Sequence, residues 1–303
     1  MKLSNYRNFP VFLMFVLPGF IVFLAIVAYP VIYAVILSFS NFNPNAGGKW
    51  EFVGLLQYKT MFCDPLFWHS LKNNIIVVFI SVFGQIPIGF TLAYILYRKL
   101  IKGGKFYQTI VFLPNFLSMI VVGTLWKRFF QADGPVSKII QIFSGDPFAQ
   151  FEMMLHPNQI MVPIGFALIW LYSGLYMVIF LANLQKIDQS LFEAAMIDGA
   201  SERQIFTKII IPMLSGVILI CSIFAISGSL KGFDLIYSLT TEGLQRNNAM
   251  VLSIFMYQTA FKNYNNPMRF AYGTAISNAI VVLSILFISI SNFLNKKIYK
   301  GEE

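Results

Sequence analysis

The stretch KIDQSLFEAAMIDGASERQIFTKIIIP, residues 186–212, decides the fold. Two capping-box patterns, Ser-x-x-Glu at 190–193 and Ser-x-x-Gln at 201–204, each place a hydroxyl acceptor where a helix can begin. Gly199 stands between them and can adopt the left-handed conformation that ends a helix. Pro212 falls where a long apolar stretch starts, so it can kink that helix or mark its first turn. The pattern predicts a short helix capped by its first serine, a glycine turn and a second helix.

The rest of the chain is strongly apolar. Of 303 residues, 57% are hydrophobic and 12% charged, against roughly 25% charged in an ordinary soluble domain. Too little polar surface would remain to cover a water-soluble core of this composition. The composition therefore excludes a soluble enzyme, a disordered chain and a secreted disulfide scaffold, and indicates a membrane protein.

The formal net charge is +9, yet the basic residues are scattered and no five of them are consecutive. Lys and Arg at membrane edges set orientation and meet anionic lipid, so we expect the partner of these charges to be the lipid bilayer and not nucleic acid. With two cysteines and two histidines in the whole chain, a metal site has almost no candidate ligands, and none is expected.

Six charge-free apolar stretches are each long enough to cross the roughly 30 Å of hydrocarbon as a helix. They are Phe9–Phe39, Asn73–Tyr97, Phe106–Trp126, Met161–Leu184, Ile209–Leu230 and Phe270–Leu294. Backbone groups in lipid must be satisfied within the chain, which makes these spans helices. We therefore expect an all-α membrane protein with six transmembrane helices, the first being a retained anchor and not a cleaved signal peptide.

Orientation follows from the Lys and Arg residues of the connections. With the N-terminus inside, 12 of the 22 fall on inner segments, which are about half as long in total as the outer ones; they are Lys2, Arg7, Arg98, Lys99, Lys102, Lys105, Lys186, Arg203, Lys208, Lys296, Lys297 and Lys300. This density favours both termini in the cytoplasm. It also makes the connection between the fourth and fifth spans cytoplasmic.

The 186–212 stretch resembles the EAA loop of binding-protein-dependent ABC importer permeases. The family pattern is EAA, three residues, Gly, nine residues, then I-x-L-P. Its counterparts here, including the common Asp and Ala around the glycine, are Glu193, Ala194, Ala195, Asp198, Gly199, Ala200, Ile209 and Pro212. Ile211 stands where Leu is usual. The resemblance implies that these residues couple the permease to its ATPases.

A second stretch resembles the segment that follows the fifth span of sugar-importer permeases, F-D-x-x-Y…T-x-x-G-P. Here Phe233–Tyr237 is followed by Thr240 and Gly243, and Leu244 replaces the usual Pro. The opening F-x-x-P-x-x-x-x-F at 15–23 also resembles these permeases. The resemblance covers essentially the whole chain and is strongest to the smaller six-span subunits of maltose-type oligosaccharide importers.

The resemblance implies a type I ABC importer permease fold. We expect an N-terminal helix and outer loop over 1–69, a five-helix core over 70–295 that contains the coupling loop at 186–212, and a cytoplasmic tail over 296–303. The implied function is that of a permease subunit of an ATP-driven importer for a sugar, with an oligosaccharide favoured, working by alternating access.

Such a subunit is not an enzyme. Gly103–Lys105 is followed by Phe106, so it is no phosphate-binding Walker A motif, and the chain itself is expected to bind no cofactor. The family implies a second homologous permease, two cytoplasmic ATPase subunits that use ATP and Mg²⁺, and an extracytoplasmic solute-binding protein, assembled in a bacterial cytoplasmic membrane.

Polar residues in otherwise apolar spans are candidates for the solute pathway. Hydroxyls and aromatic rings suit a sugar, and no Asp, Glu, Lys or Arg lies in the middle of any span, which argues against a proton- or sodium-coupled carrier. The candidates are Tyr172, Ser173, Tyr176, Ser222, Ser227, Ser229 and Asn278. Small residues also let helices pack closely in lipid, so plain packing is the alternative explanation for the serines.

Two other functions stay open on these residues. One is the same importer for another solute, such as glycerol phosphate or a polyol; a basic residue in the pathway would favour an anion. The other is a stand-alone carrier or channel, which would transport without an ATPase.

Overall fold

The computed structural model describes residues 9–42, 50–262 and 269–299, with side chains over 12–42, 50–262 and 269–293. Lys2, Arg7 and Lys300, on which part of the orientation prediction rests, lie outside these residues. Within the described ranges the chain is helical, and the one strand pairing is an isolated bridge between Ser40 and Phe52. The type of fold is therefore the all-α one expected.

Four helices are long and apolar enough to cross a membrane without a break: Phe12–Leu37 (span 1), Pro65–Tyr97 (span 2), Met161–Leu184 (span 4) and Arg269–Phe293 (span 6). Two further crossings are bent pairs of helices: Gly104–Phe116 with Met119–Phe129 (span 3), and Glu202–Met213 with Ser215–Lys231 (span 5). Counting each pair as one crossing gives the six predicted spans. The shorter helices outside them are Leu56–Cys63, Pro135–Ser144, Gln189–Ile197, Asp234–Leu239, Leu244–Asn248 and Leu252–Tyr257, and Gln258–Lys262 is π-helical.

The predicted span Phe106–Trp126 is broken and is not one continuous helix. Pro114 lies in a 3₁₀ turn, Leu113–Phe116, and Leu117 is extended with ψ 146°. A new helix starts at Met119, and its axis is turned by 101° from the first. The apolar, uncharged composition of the stretch hides the break, because hydropathy does not distinguish a helix from two helices with a turn between them.

Three prolines, one each in spans 1, 2 and 5, are accommodated by widened turns. The π-helical stretches Leu24–Ala28, Ser81–Gln85 and Ile205–Ile210 lie directly before Pro30, Pro87 and Pro212. A proline lacks the N–H for one helical hydrogen bond and its ring crowds the preceding turn, and a π-bulge relieves both. In span 5 the chain then bends by 67° at Leu214, shortly after Pro212, as the sequence allowed.

The contacts divide the chain into two compact units. The smaller comprises residues 1–65 and 256–279, the larger residues 66–255 and 280–303. In the smaller unit, Tyr58 accepts or donates a hydrogen bond with Ser38 Oγ at 2.8 Å and accepts one from Asn278 Nδ2 at 3.2 Å. The Tyr272 hydroxyl donates to the Asp64 carboxylate at 2.9 Å. The domain boundary expected at 69/70 and the orientation of the termini stay predictions.

Spans 2 and 4 form the centre of the larger unit through a very close backbone approach. A Cβ added to Gly89 would lie 2.6 Å from Tyr176 Cβ and 2.8 Å from the Ser173 carbonyl oxygen. Small residues at such crossings let helices touch in lipid, where no hydrophobic force holds them together. Phe90, Met177 and Phe180 complete the buried contact next to the glycine.

We expect Gly89→Ala to destabilise the protein by about 1–3 kcal/mol, because the added methyl group meets backbone atoms that cannot move aside. The measurement is the apparent melting temperature of the purified protein in detergent. Gly216→Ala is the matched control, since a Cβ there meets nothing within 4 Å. Equal melting temperatures for the two variants would contradict the role given to this crossing.

Candidate functional site

The helix of the predicted coupling loop, Gln189–Ile197, which we call the coupling helix, begins two residues earlier than expected. Its N-cap is Asp188, whose Oδ1 accepts a hydrogen bond from the Ser190 backbone N–H at 3.0 Å. The prediction of Ser190 as N-cap is therefore wrong, because a carboxylate two residues upstream already satisfies the amide. That hydrogen bond, with a second from the Ser190 side chain, lowers the pKa of the exposed Asp188 carboxyl.

The end of the coupling helix is as predicted. Gly199 has φ +80°, and nothing lies within 4 Å of the place a Cβ would take, so the backbone conformation alone calls for glycine. The Ala200 N–H donates to Ala195 O at 2.9 Å and the Gly199 N–H to Met196 O at 3.1 Å, which is a Schellman motif. The second capping box also forms, with Ser201 and Gln204 bonding each other's backbone amides.

One side of the loop is anchored in the core. Phe192 is 4% exposed and meets Tyr97 of span 2 edge-on, with ring centroids 6.1 Å apart. Phe206 contacts the rings of Phe90 at 5.3 Å and Tyr94 at 5.1 Å. These aromatic contacts pack the loop against the end of span 2 and fix its position there.

A polar clasp closes over these rings. The Glu202 carboxylate lies 2.8 Å from Arg98 Nη2 and accepts a hydrogen bond from the Tyr94 hydroxyl at 2.7 Å. The Arg98 and Glu202 side chains are 28% and 53% exposed. Solvent at such a site leaves an ion pair only a small net energy, so the clasp contributes mainly direction.

The other side of the loop faces outward. Glu193, Ala194 and Asp198 are exposed, and Ile197 is 85% exposed. Ala195 and Ala200 are half-buried, as are Ile209 and Pro212 farther along. The EAA-type residues thus form a projecting surface of small, apolar and acidic groups on a rigidly seated helix.

A cavity of about 130 Å³ lies between spans 2, 4 and 5. Tyr172 and Tyr176 line it, as does Ser229, whose Oγ lies 2.8 Å from Ser81 Oγ. The Tyr172 hydroxyl donates to Met119 Sδ at 3.6 Å. Among the described residues, the lining contains no Asp, Glu, Lys, Arg or His side chain. The cavity therefore offers hydroxyls, one amide and aromatic rings to a solute. The lining residues are Val77, Ser81, Gln85, Met119, Leu168, Tyr172, Leu175, Tyr176, Phe224, Ala225, Gly228, Ser229, Gly232, Phe233, Leu235 and Ile236.

The remaining pathway candidates lie outside this lining. Ser173 is buried at the Gly89 crossing, and Ser222 Oγ donates to the Ile218 carbonyl of its own helix at 2.8 Å. Ser227 is half-buried, and Asn278 belongs to the smaller unit, where it donates to Tyr58. Their contribution to a pathway stays a prediction, while the contacts of Ser173 and Ser222 suit helix packing.

Sequence reasoning missed the contribution of span 2 to the cavity. Ser81 and Gln85 line it and are 3% and 2% exposed. A signal existed, since Val77, Ser81 and Gln85 recur every four residues and therefore share one helix face.

Asn74 of span 2 joins two helix ends. Its Nδ2 donates to the Ser229 carbonyl at 3.1 Å, and its Oδ1 accepts from the Leu252 N–H at 2.7 Å. The first group belongs to the last turn of Ser215–Lys231 and the second to the first turn of Leu252–Tyr257. Neither has a partner inside its own helix, so one amide side chain satisfies both.

The segment between those helices is held by a buried cation. Arg246 is 6% exposed; its guanidinium lies 3.9 Å from the centre of the Tyr237 ring and donates to the Tyr237 and Thr240 carbonyls at 3.1 and 3.0 Å. Glu242 pairs with it at 3.1 Å. Leu244 occupies the first position of Leu244–Asn248, which is a favoured place for proline, so either residue fits there.

These features define a class of protein, an all-helical membrane protein with a capped helix–turn–helix loop between two of its apolar spans. The chain belongs to the family of binding-protein-dependent transport system inner membrane components, whose model matches residues 85–300. It is thus a multi-pass permease subunit of an ABC importer.

Similar proteins and a similar solved structure agree with this family assignment. The chain is 32% identical over 296 residues to a probable ABC transporter permease protein of Pyrococcus horikoshii, covering 98% of each chain. It is 30% identical over 273 residues to the lactose transport system permease protein LacF of Rhizobium radiobacter, covering 89% of each. Its fold matches a chain of a bacterial alginate ABC transporter, solved with an alginate pentasaccharide-bound periplasmic protein, at a TM-score of 0.82 and 22% identity, covering 97% of this chain and 96% of that one.

We expect Asn74→Leu to destabilise the protein, because it leaves a buried N–H and a buried C=O unpaired at about 1–3 kcal/mol each. The apparent melting temperature of the purified protein should fall by several degrees. Asn183→Leu is the control, since the Asn183 side chain donates to Ile179 O of its own helix and accepts only from the exposed Lys186 Nζ, so it joins no two helices. A melting temperature for Asn74→Leu equal to that of the control would contradict the double-capping role.

Proposed function

We propose that this chain is the permease subunit of an ATP-driven importer for a sugar, with an oligosaccharide favoured, and that it works by alternating access. The observation that carries the proposal is the packing of the coupling loop on span 2. Phe192 and Phe206 of the loop contact the end of span 2, and the same span lines the cavity. Movement of a partner bound to the exposed residues would reach the cavity wall through one continuous helix.

The chemistry of the cavity supports an uncharged polar solute. Sugars present hydroxyls and flat C–H faces, which suit the tyrosine rings and the Ser81, Gln85 and Ser229 side chains. A phosphorylated solute such as glycerol phosphate would favour a cation in the lining, and the described lining has none. The relative LacF, a lactose transport system permease protein, points in the same direction, because lactose is an uncharged sugar.

The proposed assembly follows the family. Two ATPase subunits, which bind ATP and Mg²⁺, would dock on the Glu193–Pro212 part of the loop, a second homologous permease would complete the pathway, and a solute-binding protein would dock on the opposite side. Both termini would then be cytoplasmic, in a bacterial plasma membrane. The chain itself would catalyse no reaction and bind no cofactor.

Ile197→Asp tests the docking surface, because it places a charge where an exposed apolar side chain would be buried against an ATPase. We expect the amount of ATPase that co-purifies with the tagged chain from native membranes, and the solute-stimulated ATP turnover, to fall at least about tenfold, as for a binding hot spot. Glu193→Ala should act in the same direction.

Gln189→Ala is the matched control, since Gln189 is exposed on the same helix but outside the EAA pattern. The Gln189→Ala variant should leave the amount of co-purified ATPase and the solute-stimulated ATP turnover at the wild-type level. If wild type purifies alone and moves solute into liposomes without ATP, the importer reading is wrong and a stand-alone carrier takes its place.

Tyr176→Phe tests the cavity by removing one hydroxyl. A lost hydrogen bond to the sugar is worth about 0.5–1.5 kcal/mol, so the KM for uptake should rise about two- to tenfold with ATPase co-purification unchanged. Tyr107→Phe, an exposed tyrosine outside the lining, should change neither. The sugars to test are those recovered with the co-purified binding protein.

A further inference from the structure

The helix Pro135–Ser144, PVSKIIQIFS, lies between span 3 and span 4 and has no part in the site described above; we name it the surface helix. Pro135 occupies its first position, and Gly145 ends it with φ +70°. Both ends are thus marked in the sequence, and the helix is a built element of ten residues.

The side of the surface helix that faces the protein carries two hydrogen-bonding side chains. Ser137 is fully buried; its Oγ donates to Gln131 O at 3.0 Å and accepts from the Phe151 N–H at 2.9 Å. One turn later, Gln141 Nε2 donates to Ala149 O at 3.1 Å. These hydrogen bonds to loop backbone, together with the half-buried side chains of Val136 and Ile140, hold this helix in place.

The side turned away from the protein is apolar. Ile139, Ile142 and Phe143 are 53%, 78% and 87% exposed, and Phe148 just beyond the helix is 86% exposed. A surface helix of a water-soluble protein has the opposite arrangement, with its apolar stripe on the core. An apolar medium or partner must therefore cover the outward side.

The neighbouring contacts fix the level of this helix relative to the membrane. Trp126 touches Phe166 and Trp170 in the first turns of span 4, with ring centroids 5.1 and 5.5 Å away. It also stacks on Phe130 at 5.2 Å, and Phe130 stacks on Phe151 at 5.2 Å. The Phe151 N–H donates to Ser137 of the surface helix. The surface helix and the Met161 end of span 4 are therefore attached to the same aromatic cluster.

The beginning of span 4 exposes apolar side chains in the same way as the outward side of the surface helix. Val162 and Phe166, in its first two turns, are 58% and 56% exposed. Tryptophans are enriched at the membrane–water interface, which is where Trp126 and Trp170 would then lie. A helix of ten residues is about 15 Å long and cannot cross a bilayer, but it can lie in its surface plane.

We propose that the surface helix is an interfacial anchor that lies in the plane of the membrane, with Ile139, Ile142 and Phe143 inserted among lipid chains. The partner is the bilayer itself. Lys138, the one charged residue of the helix, is exposed beside these residues and can reach lipid phosphates. The anchor would hold the break of span 3 and the start of span 4 at one depth. It does not depend on which solute is carried.

Site-directed spin labelling tests this in the complex reconstituted into vesicles of phosphatidylethanolamine and phosphatidylglycerol. The background variant is Cys63→Ser, since Cys63 is exposed, while Cys221 is buried and stays unlabelled. Ile142→Cys carries the probe, and Ser144→Cys, on the opposite side of the same helix, is the matched control. Collision with oxygen, which concentrates in lipid, is compared with collision with a water-soluble nickel chelate.

We expect the label at 142 to be reached by oxygen and shielded from nickel, at a depth of about 5–10 Å. The label at 144 should be reached by nickel, because the two sides of a helix are about 10 Å apart. This contrast should be the same with and without the binding protein.

Three results would overturn the proposal. Nickel access at 142 that is lost only when the binding protein is added would assign the surface to that protein. Exclusion of both reagents with an immobile label would assign it to the second permease. Equal nickel access at 142 and 144 would mean that water covers the helix.

Discussion

The crossing of spans 2 and 4 at Gly89 is the contact on which the rest of the larger unit depends. With no side chain at this position, the two backbones touch, and the same two helices then diverge to form both functional regions. On one side of the crossing, Gln85 and Tyr172 face the cavity. On the other, Tyr94 receives the coupling loop through Phe206. Gln85 and Tyr94 are about 14 Å apart along a helix, so loop and cavity share one rigid body only a few turns long.

Much of this arrangement follows from local rules that a sequence reveals. The lengths of the apolar stretches located the spans. The glycine between the two capping patterns located the turn at Gly199, where φ is positive. The Ser201–Gln204 spacing located a capping box. The failures have a shared cause. The break after Pro114 and the choice of Asp188 over Ser190 as a cap depend on which of several adequate local partners wins, and hydropathy carries no information about that.

The cavity shows where sequence periodicity runs out. Ser222 and Ser229 share a helix stripe, yet only Ser229 lines the cavity, because their separation of seven positions moves a side chain about 10 Å along the axis. Periodicity gives the face of a helix but not the depth. The tyrosine pair at 172 and 176 was recognisable because two polar aromatic side chains one turn apart share a helix face, and both line the cavity.

The uncharged cavity lining has a consequence for energetics. Moving one elementary charge through a membrane potential of 100 mV involves about 2.3 kcal/mol. A neutral solute, the class proposed above, carries no such charge, and the described lining holds no Asp, Glu, Lys, Arg or His side chain that could move with it. The electric field across the bilayer would therefore neither drive nor oppose the crossing. A cell could collapse or raise its membrane voltage without altering the direction of this step.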